Sequence, residues 1–319
     1  MQYGFSVPTR GPLANARDLA ALAGRGEELG FSILAVPDHL LVPRTIDSPY
    51  PYSQEGGWPG AAGGACLEQL TLMTWLAAVT TRMRLLSSIM VVPHRRPVHT
   101  AKTLATLDQL SGGRTILGIG TGWLRAEFEA IGTEPFDARG AVTDEYLRIF
   151  RELWTSSDPR FDGTYERFRE IHFEPKPAQP GGIPVWVGGE SPRALRRTVE
   201  LGDGWYPIGA NPKHPLNSLE RYAAHRDRLH AMAETAGRDP ATITLAYWAS
   251  WFGADHPLDL GDIDRHLLTG TPDQLAEDIA GLARLGVSEL VLDFRRPSLA
   301  ESLEAMQRFA EEVRPQIGR

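Results

Sequence analysis

Eight short apolar runs, each followed by an amphipathic or loop-rich stretch, recur along the chain. A repeat of this kind restricts the fold to βα units laid around a parallel sheet. The runs are Gln2–Val7, Ile33–Val36, Arg84–Val91, Thr115–Ile119, Pro184–Val187, Gly204–Pro207, Thr242–Ser250 and Glu289–Asp293, and each reads as a strand. Helix starts fall between them. Ser191-Pro192, Thr271-Pro272-Asp273-Gln274 and Ser298-Leu299-Ala300-Glu301 combine a capping hydroxyl with a first-turn proline or a capping-box partner. In the last helix Leu299, Leu303, Met306 and Val313 share one face, a core stripe. Eight such pairs predict an α/β fold, a single (β/α)8 TIM barrel. The length of 319 residues does not contradict this, because α/β barrels stay undivided beyond the ~250–300 residues at which most cores split. No Pro/Gly/Ser linker interrupts residues 1–319, so one domain is expected, with insertions after strand 2 (Leu40–Ala65) and before strand 5 (Thr155–Gly182). Both insertions are long enough to cover a ligand, and the active site is expected at the C-terminal ends of the strands.

Charge and composition remove several function classes. The formal net charge is −7 and no long Lys/Arg run occurs, which argues against nucleic acid as a partner. The one cysteine, Cys66, has no partner for an internal disulfide, and MQYGFSVPTR lacks the basic start and apolar stretch of a secretory signal. No apolar run approaches the ~18–20 residues that cross a bilayer. The expectation is a cytoplasmic enzyme acting on a small molecule, without membrane or nucleic-acid partners. The only lysines, Lys102, Lys176 and Lys213, lie outside the predicted strands, which disfavours Schiff-base chemistry. The first strand carries no histidine, which disfavours a metal-dependent hydrolase, and no metal is expected. A sugar-active hydrolase remains a distant alternative, with Asp38, Glu190, Asp203 and Asp293 as candidate carboxylates.

Three strand ends carry the chemistry. Asp38-His39 follows the second strand and places an imidazole at the barrel mouth; it either exchanges protons there or packs beneath the Leu40–Ala65 loop. Val187-Gly188-Gly189-Glu190-Ser191-Pro192 leads from the fifth strand into a helix, so glycine amides and a helix N-terminus converge where a phosphate can bind; the glycines also suit a plain tight turn. Gly118-Ile119-Gly120-Thr121-Gly122-Trp123 ends the fourth strand, but Trp123 occupies the third glycine position of a dinucleotide fingerprint, so a Rossmann assignment fails. Ser87-Ser88 in the third strand either admits a planar ring or fills a narrow layer. Tyr50, Tyr52, Trp58, Trp248 and Trp251 suggest a planar or apolar substrate, and Trp123 reads as a wall against a flat ligand; Trp58, Trp123 and Trp248 are taken as pocket residues.

With these residues in view, the chain resembles the luciferase-like monooxygenase superfamily, in particular its branch of oxidoreductases dependent on the deazaflavin coenzyme F420. The resemblance rests on Val36-Pro37-Asp38-His39, on Pro97 through Gly122 and on Ile183 through Pro207, and it spans nearly the whole chain. It implies a coenzyme ring in the barrel mouth and its phosphate on Gly188, Gly189 and the amides around Glu190 and Ser191. Asp38, Ser87, Ser88, Gly120, Thr121 and Gly122 complete the implied cofactor-binding set. It also implies a non-prolyl cis peptide behind the ring, at Ser87-Ser88 or Ser88-Ile89, and assigns His39 an acid/base or electrostatic role. In the family's sugar-phosphate dehydrogenase a glutamate follows Gly-Thr-Gly where this chain has Trp123, which argues against that substrate. The implied activity is hydride transfer between F420 and a small organic substrate, in a homodimer. FMN is the alternative cofactor, in a two-component monooxygenase. Arg44, Arg95, Arg96, Arg295 and Arg296 lie near predicted strand ends, where an anionic coenzyme tail would pass.

Overall fold

Eight parallel strands close on themselves in a computed structural model that describes residues 1–52, 57–58, 64–253 and 264–318. In chain order they are β1 (Gln2–Ser6), β2 (Ile33–Val36), β3 (Arg84–Ser87), β4 (Thr115–Gly120), β5 (Val185–Gly188), β6 (Gly204–Tyr206), β7 (Thr244–Ala249) and β8 (Glu289–Leu292). Each strand pairs with its sequence neighbour, β8 pairs with β1, and β3 meets β4 through Leu85↔Thr115 and Leu86↔Ile116. The fold is therefore the expected TIM barrel. Around it run α1 (Ala16–Glu28), α2 (Gln69–Val79), α3 (Pro97–Ser111), α4 (Arg125–Ile131), α5 (Arg139–Thr155), α6 (Pro192–Leu201), α7 (Leu219–Thr235), α8 (Pro272–Arg284) and α9 (Leu299–Arg308). Ser191, Thr271 and Ser298 cap α6, α8 and α9, and the last two form complete capping boxes.

Strand alternation separates two apolar layers. Ile33, Ala35, Leu86, Ile116, Trp186, Tyr206, Ala246 and Val291 fill the inside of the barrel. Their neighbours Leu34, Val36, Leu85, Leu117, Val187, Leu245, Leu290 and Leu292 pack outward against the helices. The inner layer mixes large and small residues: Trp186 lies where a Cβ on Gly204 would come within 2.6 Å of it.

The structure corrects the reading of Arg84–Val91 as one strand. β3 stops at Ser87, a cis peptide joins Ser88 to Ile89, and only Met90–Val91 resumes pairing, with Ile119 and Gly120 at the end of β4. Thr155–Gly182 precedes β5, as expected. That segment leaves the C-terminal end of α5, and a connection from helix to strand starts at the face remote from the strand C-termini. It then lies along the outer helices. Glu145 of α5 accepts amides of Thr164, Tyr165 and Glu166 at 2.8–2.9 Å, and Asp108 of α3 accepts from the Gln179 backbone at 3.0 Å and its side chain at 2.8 Å. A small hairpin, Phe161–Asp162 with Arg167–Phe168, sits within it. This insertion lies against the outer helices, with Glu166 paired to Arg96 at the start of α3.

A Cβ at Gly118 would lie 2.1 Å from the Ser87 carbonyl oxygen, whereas at Gly24, within α1, nothing stands within 4 Å. Gly118→Ala should therefore destabilise the protein by about 1–3 kcal/mol or more, since backbone must move. Gly24→Ala should be neutral or stabilising by up to about 1 kcal/mol through helix propensity. Paired urea melts test this; similar midpoints for the two variants would show that β4 can shift away from β3 at no cost.

Candidate active site

At the C-terminal end of the barrel the inner layer is crowned by Ile89 and Trp248, which pack on it while remaining only half-buried. Ile89 reaches the centre because its neighbours lack side chains: a Cβ on Gly120 would come within 2.2 Å of Ile89 Cδ1, and one on Gly188 within 2.9 Å. The result is an apolar seat at the mouth. The hydroxyls of Ser87 and Ser88, expected to meet the cofactor, have hydrogen-bond partners within the protein. Ser87 is fully buried and its hydroxyl donates to the Gly118 carbonyl at 2.8 Å, while the Ser88 hydroxyl pairs with that of Tyr206 at 3.0 Å. The expected cis peptide is present at Ser88-Ile89. Gly122, at φ +82°, packs where a Cβ would strike Phe128 and Val91, and Thr121 lies half-buried beside it.

Beyond β2, Asp38 and His39 diverge. The Asp38 carboxylate has no exposed surface. It accepts two hydrogen bonds from Arg95, at 2.8 and 2.9 Å, and one from the Val91 amide at 2.9 Å. Burial alone would raise its pKa, but Arg95 outweighs burial and holds the carboxyl below its usual range. This corrects the expectation for Asp38: its carboxylate ties the segment after β3 to the end of β2 and is closed to a ligand. Arg95 also pairs with Glu68 at 2.7 Å, and Arg96 with Glu134 and Glu166, so neither offers a spare charge for an anionic tail. Arg295 is paired with Asp293, while Arg44 is exposed.

His39 sits 2.9 Å, through Nδ1, from Glu127 Oε2, and its ring lies 4.5 Å from that of Trp58. Glu127 is buried on the first turn of α4. Its Oε1 accepts the Leu40 amide at 2.8 Å and the Leu41 amide at 3.3 Å. The sequence reading missed Glu127. An acidic residue in the first turn of the helix that follows the Gly-Thr-Gly end of β4 was the available signal, but its distance from Asp38-His39 in the chain hid the pairing. His94 was missed as well. It is buried against Phe128, its Nδ1 is 3.9 Å from Glu127 Oε1, and burial pushes its pKa down to about 4.

Aromatic side chains of the Leu40–Ala65 segment meet the end of β4. Trp58 contacts Trp123 edge-on at 5.6 Å, Tyr50 contacts Trp123 at 5.2 Å and Tyr52 at 5.5 Å, and the Arg10 guanidinium lies 4.5 Å over Trp58. Trp248 and Tyr52 pack against Ile208, Ala210 and Trp251 on the β6–β7 side. Trp58 and Trp123 thus meet directly, whereas Trp248 is linked to them through Tyr52 and Tyr50. The buried Trp248 Nε1 has no hydrogen-bond partner among the described residues.

The turn after β5 has the expected form. Gly189 adopts φ +100°, a conformation that L side chains rarely take, and a Cβ there would lie 3.3 Å from Ala194 Cβ. Ser191 caps α6, its hydroxyl accepting the Ala194 amide at 3.3 Å, and Pro192 and Arg193 on the first turn are exposed. The Glu190 side chain turns inward. Buried, it accepts from the Ile208 amide at 2.8 Å and the Asn211 amide group at 2.7 Å. Burial raises its pKa to about 7, only partly offset by those two donors. Its carboxyl thus anchors the segment after β6, while its backbone stays in the glycine turn. Among the described residues no group of three or more His, Cys, Asp or Glu side chains is placed to hold a metal ion, and no helix is long and apolar enough to cross a membrane.

Residues 1–257 match the family described as luciferase-like monooxygenase. An uncharacterised protein of Mycobacterium tuberculosis is 36% identical over 217 residues, 68% of this chain and 72% of its own length. The FMNH(2)-dependent dimethylsulfone monooxygenase of Pseudomonas putida is 33% identical over 173 residues, 53% of this chain and 45% of that protein. Among solved structures, an F420-dependent secondary alcohol dehydrogenase in complex with an F420-acetone adduct superimposes with a TM-score of 0.74 at 19% identity, over 100% of this chain and 99% of that one.

Glu190 yields a prediction about pH. A carboxyl raised from its ordinary 4.5 to about 7 is protonated in the fold where the unfolded chain has lost that proton. Its stabilising contribution is complete below about pH 4.5 and is lost as pH rises through about 7, an effect of about 3 kcal/mol. Asp38 and Glu127, both held below the usual range, act in the opposite sense and only in acid. Glu190→Gln should therefore flatten the fall in stability of the wild type between pH 5 and 8. Urea unfolding of both proteins at the two pH values is the measurement; equal slopes would place the Glu190 pKa in the ordinary range.

Proposed function

The chain belongs to the luciferase-like monooxygenase family, and on that premise we propose that it is an oxidoreductase transferring hydride between coenzyme F420 and a small organic substrate. The observation that carries this reading is His39, tied through Nδ1 to a buried carboxylate at 2.9 Å, at the same end of the barrel as the seat of Ile89 and Trp248. Oxidising an alcohol removes a hydride from carbon and a proton from oxygen, so such an enzyme needs a group that takes the proton. His39, with Nδ1 engaged, takes or returns that proton at Nε2.

The residues present suit a planar ring that bears a phosphate. Ile89 and Trp248 offer the apolar surface, and the Gly188–Ser191 turn with the exposed first turn of α6 would hold the phosphate. When bound, the coenzyme supplies a ring carbon that accepts or donates hydride and reacts poorly with oxygen. Trp58 and Trp123 wall the substrate side, exclude water and favour an apolar or planar substrate. An FMN-dependent monooxygenase fed by a separate reductase is the second reading, favoured by the Pseudomonas putida relative. Family membership sets aside the sugar-active hydrolase.

Fluorescence titration of the purified protein with F420 and with FMN separates the readings: F420 should bind, and tight FMN binding with no F420 response would overturn the proposal. His39→Ala should slow turnover by about 10²–10⁴ while leaving coenzyme affinity within a few-fold, because the imidazole serves the proton and not the phosphate. Gly189→Val should weaken coenzyme binding, since a β-branched residue resists φ +100° and its Cβ crowds Ala194. Circular dichroism and the thermal midpoint would establish that the variant is folded. Wild-type affinity in a folded Gly189→Val protein would move the phosphate away from this turn.

A further inference from the structure

We propose that Glu127 is a positioning residue that holds the neutral His39 ring as its Nδ1–H tautomer and so reserves Nε2 for the proton exchanged with substrate. The inference deepens the reading of His39 given above and rests on it for the role of Nε2, though the tautomer itself does not. An ionised carboxylate has no hydrogen to give, so at 2.9 Å from Glu127 Oε2 the Nδ1 nitrogen must be the donor. Burial opposes the charge on Glu127, but the hydrogen bonds it accepts, from His39 and from the Leu40 amide, favour it, and the carboxyl is held below its ordinary range. The group is therefore an acceptor at neutral pH.

The carboxylate is also prevented from turning away. Its other oxygen accepts the amides of Leu40 and Leu41, which belong to the same stretch of chain that carries His39. Rotation would leave two backbone donors without their acceptor. Glu127 thus fixes both the proton on the ring and the backbone from which the ring projects. His94 approaches from the opposite side, but 3.9 Å is beyond hydrogen-bond reach, and neither of its ring nitrogens has a hydrogen-bond partner among the described residues. Enclosed beside Phe128, it stays uncharged and does not compete with His39 for the carboxylate. Of the other ionised neighbours, Asp38 and Arg95 are engaged with each other, and the Arg10 guanidinium lies over the Trp58 ring. One carboxylate and one imidazole are thus paired directly, as in other sites where a second residue sets the tautomer of a reacting histidine.

Replacing the carboxylate by its amide gives an inversion that a merely structural role would not produce. In Glu127→Gln the Leu40 and Leu41 amides still demand an oxygen, so the new NH2 group must face His39 Nδ1. Nδ1 then becomes the acceptor and the proton moves to Nε2. Long-range 1H–15N correlation spectra of the full-length protein labelled in its histidines, with His39→Ala used to assign the ring, read this directly at a pH where His39 is neutral. The expected wild-type spectrum has the pyridine-like nitrogen at Nε2, and the Glu127→Gln spectrum has it at Nδ1. Glu127→Asp, which keeps the charge, should retain the wild-type tautomer. A wild-type ring protonated at Nε2, or the same tautomer in wild type and a folded Glu127→Gln protein, would overturn the inference. Should Glu127→Gln fail to fold, the wild-type spectrum decides alone. The spectra need no coenzyme, so a failed F420 titration would remove the proposed function without touching the tautomer.

Discussion

Where a strand ends at a barrel mouth, its backbone leaves the ladder, and a buried N–H without an acceptor costs about 1–3 kcal/mol. In this chain the missing acceptors are carboxylates brought in from elsewhere in the sequence. At the mouth Asp38 receives the amide of Val91, Glu127 those of Leu40 and Leu41, and Glu190 that of Ile208; away from the mouth, Glu27 of α1 receives the amides of Thr81, Arg82 and Met83 ahead of β3, and Glu145 of α5 those of residues 164–166. Arg114 performs the complementary task for carbonyls, donating to Ala77, Thr80, Met83 and Ser111 around the C-terminal end of α2. These loops are held by point-to-point hydrogen bonds to side chains, not by sheet.

The proposed chemistry reuses two of these clamps. Glu127 fastens the backbone after His39 with one oxygen and the His39 ring with the other, so the imidazole inherits the rigidity of α4. Glu190 fastens the segment after β6 while its own backbone lies in the glycine turn before α6. A single residue type thereby connects loop anchoring with proton placement in one case and with the anion turn in the other. Asp38 supplies the contrast: with Arg95 and the Val91 amide filling its acceptor sites, it is all anchor.

Apolar packing governs the middle of the mouth. Ile89 can stand over the inner layer only because Gly120 and Gly188 present no side chain, and the rings of Trp58 and Tyr50 each contact Trp123 edge-on at the rim. A seat of this kind is set by shape and not by charge, which agrees with a ring-bearing coenzyme and leaves substrate choice to the rim.

Much of the fold was legible from the chain because it depends on local periodicity. Strand alternation, the Ser191, Thr271 and Ser298 caps and the eightfold repeat are written over a few residues each, and a closed parallel barrel is the arrangement that buries them all. His39 and the Gly188–Ser191 turn were legible for a related reason: their position directly after a strand places them at the mouth whatever the loops do. What the chain alone did not disclose is pairing across distance. Glu127 and His39 are 88 residues apart, and Asp38 and Arg95 are 57 apart. Nothing in either local pattern says which charge will meet which ring. Folding also decided that Ser87 and Asp38 would be spent inside the protein and that Thr155–Gly182 would lie along the outer helices, because those outcomes depend on which face a connection leaves and which donors lie nearest in space. Periodicity determines elements and their order, whereas hydrogen-bond partners are chosen only when the closed barrel brings remote segments within about 3 Å of one another.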